Sequence, residues 1–399
     1  MPLTKRLLLD LTPLGTPGGA RGIGRYTREL ARGLSQLPAA ELEGIELLGL
    51  LSLNWNGSYC CTSDLAGFLD GVGTRLLESS DYYSWAYRQR LLLWHAARKL
   101  RADAVHLCDP HATPRLLGLA GTKKIVTCHD IVPTRFPDHY FGWRDGGATV
   151  GRWIEGRRYR SADLVIAVSE ATKHDICTLA GVREDQVVRV YNGVNIEQWA
   201  AEPQLGAEAV LSKYGLDGKG FVLYVGGADW RKNIEGMMNA LASLRQSGDD
   251  LVLAWAGHLD APHRARVESH ASTAGVGEAV AYLGHVADDE LSVLYRSCVA
   301  HLIVSRLEGF GLTVVEAMAS GCPIIATEAG SLAEVAGEAA LTVDPEDPKA
   351  IAAAIQRLSR EPGLRSELSA RGKARAPRFS RQAQAHAMAE AYRRFLFEP

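Results

Sequence analysis

The feature that most constrains this chain is a rhythm of short, unbroken apolar runs separated by longer stretches of helical periodicity. The runs are Arg6–Asp10, Ile45–Leu53, Ala104–Cys108, Lys124–Cys128, Leu164–Val168 and Val187–Tyr191. A second series follows at Phe221–Val225, Leu251–Ala256, Val280–Leu283, Ala300–Val304, Pro323–Ala326 and Ala340–Val343. Continuous rather than alternating hydrophobicity marks strands covered on both faces, the condition of a parallel sheet. Helical segments such as Ile23–Leu37 and Asp288–Cys298 supply the crossovers. Between the two series lies Gly193–Gly220, a weakly patterned stretch of polar and small residues. The chain therefore reads as α/β twice over, one Rossmann-like domain at 1–195 and a second at 196–378. A length of 399 residues suits two such domains. The last segment, Phe379–Phe397, places Ala383, Ala387, Ala391 and Phe395 at helical spacing and reads as a terminal helix.

Composition closes off other classes. Hydrophobic residues are 47% and charged residues 23%, which gives ample core and excludes disorder. Lysine and arginine number 44 against 46 acidic residues, so no global field draws the protein onto nucleic acid. Asp10 interrupts the first apolar run well short of a secretory core, and no later run approaches the ~18 apolar residues of a membrane span. The cysteines show no paired spacing and several fall inside apolar runs, as expected of buried thiols in a reducing compartment. A cytoplasmic protein is expected.

In doubly wound sheets ligands sit beyond the carboxyl ends of the strands, so the residues after each run carry the functional reading. The strongest case is Val304-Ser-Arg-Leu-Glu-Gly-Phe-Gly-Leu-Thr-Val-Val-Glu-Ala-Met-Ala-Ser-Gly-Cys-Pro323. A strand ends, a glycine loop follows, and a helix is predicted over Thr313–Ser320, with Gly321 ending it. The first turn of that helix offers backbone N–H groups and a positive dipole end, a seat for a diphosphate. Gly309 and Gly311 permit close approach, and Glu308 projects just before the seat, where a sugar on the diphosphate would lie. Glu316, one turn in, is in reach of a ribose diol; equally, Thr313 and Glu316 match a capping box that serves only the helix.

Three further places follow strands. Phe221–Val225 leads into Gly226 and then Arg231-Lys232-Asn233, whose cations suit the charge that develops on a leaving diphosphate; a solvated basic pair is the alternative, which the place after the first strand of a domain disfavours. Lys124–Cys128 leads into His129 and Asp130; the histidine reads either as a donor to a substrate hydroxyl or phosphate, its tautomer fixed or its ring oriented by the neighbouring carboxylate, or as a structurally satisfied core histidine. The first strand leads into Gly15-Thr-Pro-Gly-Gly-Ala-Arg-Gly22-Ile-Gly24-Arg25, whose glycine spacing does not fit a dinucleotide fingerprint. It reads as a flexible loop with Arg21 and Arg25 for phosphate contact, or as a plain connector. Gly257-His258 and Gly284-His285 stand where they would edge a base pocket. Arg152–Arg160 carries four arginines with Trp153 and Tyr159, suiting an acidic acceptor, a weak membrane-surface contact, or simply a solvated helix face.

These residues resemble the retaining glycosyltransferases of family 4, with the GT-B architecture, over essentially the whole chain. Glu308 and Glu316 are similar to the paired glutamates of that family, and Arg231-Lys232-Asn233 to its basic diphosphate motif, with Trp230 where proline is expected. His129-Asp130 resembles the histidine motif of the first domain, and Gly22-Ile-Gly24-Arg25 the N-terminal glycine loop. Phe379-Ser380 is similar to the start of a terminal helix, 379–399, that crosses back onto the first domain. The resemblance implies a nucleotide-sugar donor bound mainly by the second domain, an acceptor (a glycan, a lipid-linked or a small molecule) chosen by the first, and closure between them. It implies retention of configuration, no metal ion or other cofactor, and a leaving phosphate that helps deprotonate the acceptor hydroxyl. Catalytic roles fall to His129, Arg231, Lys232 and Glu308. Donor binding falls to Gly22, Gly24, Arg25, Gly226, Gly309, Phe310, Gly311, Leu312, Thr313 and Glu316. The early Gly-Ile-Gly-Arg-Tyr and the later Cys-His-Asp-Ile-Val-Pro look most like mannosyltransferases of bacterial polysaccharide assembly, which points to GDP-mannose, with UDP-glucose next. A sugar phosphorylase or epimerase on the same fold, and a non-catalytic nucleotide-sugar binding module, are the competing readings.

Overall fold

The apolar runs form two separate sheets in the computed structural model, which describes residues 4–16, 19, 22–54, 56–71, 82–112, 121–142 and 147–398. The chain divides into two units, Met1–Val194 with Phe379–Pro399, and Asn195–Arg378. In the first, β1 (Lys5–Asp10), β2 (Ile45–Leu53), β3 (Tyr59–Thr62), β4 (Ala104–Leu107), β5 (Lys123–Cys128), β6 (Leu164–Ala167) and β7 (Val187–Arg189) lie in the order β3-β2-β1-β4-β5-β6-β7. In the second, β8 (Phe221–Val225), β9 (Val252–Ala256), β10 (Val280–Gly284), β11 (Ala300–Ile303), β12 (Ile324–Thr327) and β13 (Ala340–Val343) lie in the order β10-β9-β8-β11-β12-β13.

All neighbouring pairs are parallel except β2 and β3. Strand β3 is the one that the sequence reading missed. It is a short, half-exposed edge strand, returned by a turn in which Asn54 N donates to Ser58 O at 2.8 Å. An edge strand has no need of an unbroken apolar run, so its signal was absent.

Each sheet has one point where the strand order reverses, between β1 and β4 and between β8 and β11. Right-handed crossovers send the chain to opposite faces on the two sides of that point, which leaves a crevice beyond the carboxyl ends of the central strands. The central strands are buried on both faces, as their composition requires. Leu8, Val105, Val126 and Val165 pack with Trp85, Leu93, Tyr159 and Ile176 in the first unit. Val222, Tyr224, Leu253, Trp255 and Leu302 pack with Met237, Leu241, Leu244 and Ile355 in the second.

The terminal helix, Arg381–Phe397, is capped by Ser380, whose side chain accepts from Ala383 N at 3.1 Å, and it belongs to the first unit. Val194 N donates to Phe379 O at 2.9 Å and Arg381 N to Val194 O at 3.0 Å, which ties the helix start to the end of the first unit. Arg381 pairs with Glu29 at 2.6 Å, and Gly33 on the helix Gly22–Ser35 allows close contact. A Cβ at position 33 would stand 2.9 Å from Ala385 Cβ and 2.9 Å from Arg381 O. Gly33→Leu is therefore expected to destabilise the first unit by about 1–3 kcal/mol through overpacking. Thermal unfolding measures it, and an unchanged midpoint would show that the helix does not dock here. No helix among the described residues is long and apolar enough to cross a membrane.

Candidate active site

Because β8 and β11 are hydrogen-bonded neighbours, with His301 in register with Leu223, the loops after them lie side by side. After β8 the chain makes a short 3-10 turn, Trp230–Lys232, capped by Asp229, whose side chain accepts from Arg231 N at 3.0 Å. After β11 it runs through Ser305 to Glu308. The two loops meet on one carboxylate. Glu308 Oε2 accepts from Arg231 Nη1 at 2.6 Å, while Oε1 accepts from Lys232 Nζ at 2.5 Å and from Ser305 Oγ at 2.7 Å. Glu308 is 8% exposed. Burial pushes its carboxyl up, but the charges of Lys232 and Arg231 and the Lys232 and Ser305 hydrogen bonds outweigh that and hold it at about 2. Glu308 is thus an anion at any pH where the protein works and cannot act as a general acid. A depressed folded value means that its contribution to stability is present above the ordinary glutamate range and is lost as pH falls from about 4.5 towards 2.

The backbone of Glu308 is fixed as well. Ser331 N and Oγ both donate to Glu308 O, each at 3.1 Å. Gly330 has φ +63°, and a Cβ there would lie 2.3 Å from Glu308 O, so only glycine allows the approach. Neither Ser305, Gly330 nor Ser331 was singled out from the sequence, although Gly330 follows β12 as Gly226 follows β8. Asn233, the third residue of the basic motif, is structural. It is buried in the left-handed region at φ +56°, its Oδ1 accepts from Gly236 N at 3.2 Å, and its Nδ2 donates to Pro345 O at 2.7 Å. Trp230, in the place expected for proline, lies under Arg306, with 5.3 Å from the guanidinium carbon to the ring centroid.

The helix after the glycine loop spans Leu312–Ser320, with Gly311 at its N-cap in the left-handed region and Gly321 at its C-cap. No side chain caps its start. The capping box is not formed: Thr313 Oγ1 lies 3.2 Å from His301 Nε2, whose Nδ1 bonds Leu223 O at 3.0 Å. A carbonyl only accepts, so Nδ1 carries the proton and Thr313 donates to Nε2. Burial lowers His301 to about 4 and keeps it neutral. Glu316 is buried at 1% exposure, with Tyr295 Oη 3.5 Å from its Oε2. Gly309 and Phe310 are buried, while Gly311, Leu312 and Thr313 are half-buried. Gly226 sits at the end of β8, with its carbonyl bonded by Trp255 Nε1 at 3.1 Å. His258 and His285 are exposed beyond β9 and β10.

In the first unit, His129 directly follows β5. Its Nε2 lies 2.7 Å from Cys108 O, so Nε2 carries the proton and Nδ1 is the acceptor. The edge of Tyr26 meets the ring, centroids 4.7 Å apart. Burial lowers the imidazole's affinity for a proton, against opposing contributions from Cys108 O, Asp109 and Asp130, so the neutral form is favoured. The expectation that Asp130 orients this ring fails. Asp130 Oδ1 instead accepts from Val132 N at 3.2 Å, a local turn, and the carbonyl of Cys108 does the orienting. Gly22, Gly24 and Arg25 form the first turn of the helix Gly22–Ser35 rather than a loop; Arg21 lies outside the described residues.

Asp10 was passed over as an interruption of the first run. It closes β1 and is fully buried. Thr12 N and Oγ1 donate to its Oδ1 at 3.1 and 2.6 Å, and Thr12 Oγ1 in turn accepts from Trp85 Nε1 at 2.9 Å and Gln89 Nε2 at 2.8 Å. Burial pushes the carboxyl up to about 7, against the Thr12 bonds and with a further push from Asp109. The unfolded chain loses this proton near the usual 3.8 while the folded chain keeps it to about 7. Stability therefore falls as pH rises through that window, by up to about 1.4 kcal/mol per pH unit. Asp10→Asn is expected to flatten the slope in urea unfolding between those limits; slopes identical to wild type would contradict the assignment. Among the described residues, no three histidine, cysteine or acidic side chains converge as a metal-ligand set.

Comparison with known proteins places both units. A family model described as Glycosyltransferase Family 4 matches residues 20–198, and one described as Glycosyl transferases group 1 matches residues 208–375. The chain is similar to the O-antigen chain mannosyltransferase B of Escherichia coli, 29% identical over 384 residues, covering 90% of this chain and 92% of that protein. It is also similar to the serotype-specific mannosyltransferase WbdA of Escherichia coli, 27% identical over 410 residues and 98% of this chain, but it spans only 48% of that longer protein. Among solved structures, sucrose-phosphate synthase of Thermosynechococcus elongatus aligns with TM-score 0.72 at 22% identity over 98% of each chain. Anabaena HepE in complex with UDP-glucose aligns with TM-score 0.71 at 19% identity over 97% of this chain and 99% of that one. The shared fold is GT-B, two Rossmann-like domains.

Proposed function

The chain belongs to the family 4 glycosyltransferases, and on that premise we propose that it moves mannose from GDP-mannose to a hydroxyl of a glycan acceptor, with retention of configuration and without a metal ion. The observation that carries the reading is the convergence of Arg231, Lys232 and Glu308 at the β8–β11 crevice, beside the helix that starts at Leu312. Two cations and a run of N–H groups are what a diphosphate needs as negative charge builds on its leaving oxygen. Arg231 and Lys232 hold the diphosphate, aided by the backbone of Phe310–Thr313. Glu308, always ionised, accepts hydrogen bonds from hydroxyls of the donor sugar. Glu316 takes the ribose. His129, protonated on Nε2, accepts a hydrogen bond from a sugar hydroxyl at Nδ1. The departing phosphate oxygen takes the proton of the attacking hydroxyl on the same face of the sugar, so that configuration is kept. Mannose is favoured by the mannosyltransferase relatives.

The experiment is a thermal-shift screen against nucleotide sugars, since a ligand bound only by the native state raises its midpoint. It is followed by product analysis with the donor that shifts most. GDP-mannose is expected to give the largest shift and to yield GDP and an α-mannoside when a mannose-terminated acceptor is added. An isomerised nucleotide sugar, or a need for inorganic phosphate, would replace transfer with epimerisation or phosphorolysis. Tight binding without turnover across a broad acceptor panel would reduce the chain to a binding module.

A further inference from the structure

The first unit holds a second buried histidine, His106, to which the reaction described above gives no task. His106 stands on β4, two residues before Cys108, whose carbonyl holds the His129 ring. It is fully buried. Burial pushes its imidazole down to about 3, with a smaller push from His129, so it is neutral wherever the protein works. A neutral imidazole has one N–H and one lone pair, so one ring nitrogen donates and the other accepts. Both are engaged. Nδ1 lies 2.5 Å from Tyr392 Oη on the terminal helix, and Nε2 lies 2.8 Å from Thr127 Oγ1 on β5.

Two partners satisfy a buried histidine, but the hydrogen bonds run on. Thr127 Oγ1 lies 2.9 Å from Tyr26 Oη, and the edge of the Tyr26 ring meets His129 at 84°. Thr127 and His129 are two residues apart, and one tyrosine spans both, its hydroxyl on the first and its ring on the second. Tyr26, His106, Thr127 and Tyr392 are each no more than 1% exposed. Burial raises both phenols well above their ordinary value, so each keeps its proton. The result is an uncharged line of side chains from the terminal helix through β4 and β5 to the helix Gly22–Ser35, ending against His129. Such a line is stiff, because breaking a link in a dry interior leaves a buried polar group unpaired. Docking the terminal helix does not require it: Gly33 against Ala385 and the Arg381–Glu29 pair already serve that purpose.

We propose that Tyr392, His106 and Thr127 are positioning residues for the transfer reaction, acting through Tyr26 to fix the His129 ring with Nδ1 as its acceptor. The inference rests on the role given to His129 above. The Cys108 carbonyl holds one nitrogen of that ring, and the ring can still swing about the bond. The edge of Tyr26 blocks the swing, and the line of hydrogen bonds holds Tyr26.

Tyr392→Phe and, separately, Thr127→Val remove one link each and keep the side chain's shape. Each is expected to lower kcat by about tenfold with the donor KM within about twofold, as a small misplacement of a reacting group does. In a His129→Ala background the same substitutions are expected to change kcat by less than about twofold, since the group they position is gone. A merely structural role gives the same loss in both backgrounds. Selective 15N labelling of histidine reads the ring without any substrate. His129 in the wild type is expected to show a protonated Nε2 and an unprotonated Nδ1, and in both variants its signals shift towards an average of the two tautomers. Thermal unfolding checks that the variants are folded at the assay temperature. Wild-type turnover in His129→Ala would remove His129 from the reaction, and the positioning role with it. With His129→Ala impaired, unshifted His129 signals in both variants, or an equal loss of kcat in the two backgrounds, overturn the positioning role alone.

Discussion

Lys232→Ala is expected to lower kcat by about 10³-fold, the scale of removing a fixed charge from a developing oxyanion. The ammonium is 17% exposed and fixed by Glu308 at 2.5 Å, so it costs little reorganisation when a diphosphate arrives. The fold survives the change because Glu308 keeps Arg231 at 2.6 Å and Ser305 at 2.7 Å, so the buried carboxylate is not orphaned. The melting point without ligand is therefore expected to stay within a few degrees of wild type, as follows from a loss of about 1 kcal/mol. Affinity for the nucleoside diphosphate falls along with kcat. Turnover within a few-fold of wild type in a folded Lys232→Ala protein would remove the diphosphate from this crevice.

Glu308→Gln is expected to give an opposite sign in binding. Turnover drops by about 10²–10³-fold, because hydroxyls of the donor sugar lose a charged acceptor. The free nucleoside diphosphate, however, binds more tightly, by about tenfold, since the anion that occupies Arg231 and Lys232 in the ligand-free protein is gone. Glutamine keeps the shape and the hydrogen bond from Ser305. Titration calorimetry with the diphosphate reads the sign directly. Weaker binding in Glu308→Gln would mean that the carboxylate holds the cations in place for the ligand rather than competing with it. Because the carboxyl lies at about 2, the kcat profile of the wild type carries no acidic limb from Glu308 above about pH 3.

Much of this was legible in the residues. Unbroken apolar runs located the parallel strands, with ends shifted by a residue or so, since burial on both faces leaves a strong signal. Ser169, a residue type that favours helix starts, caps the helix Glu170–Ala180, its side chain accepting from Thr172 N at 3.0 Å. Gly321 ends its helix in the left-handed region, as its place before Cys322 and Pro323 required. The acidic pair and the basic pair were visible because strand, glycine turn and helix follow one another at both places.

What was hidden is what depends on partners far away in the chain. Thr313 and Glu316 have the spacing of a capping box, but His301 on the neighbouring strand claims the threonine. Asp130 follows His129 directly, yet the Cys108 carbonyl orients the ring from the adjacent strand β4. Asp10 looked like an intrusion because a buried carboxylic acid reads the same as a solvated one until its neighbours are known.

The sharpest measurement compares the affinities of GDP and GMP for the wild type and for Arg231→Ala/Lys232→Ala, by calorimetry. With both cations on the second phosphate, GDP is expected to bind wild type at least about 100-fold more tightly than GMP, with most of that advantage gone in the double variant. Should the two nucleotides bind alike, or the advantage survive the loss of both cations, the pyrophosphate lies elsewhere and the function assigned to this crevice is wrong.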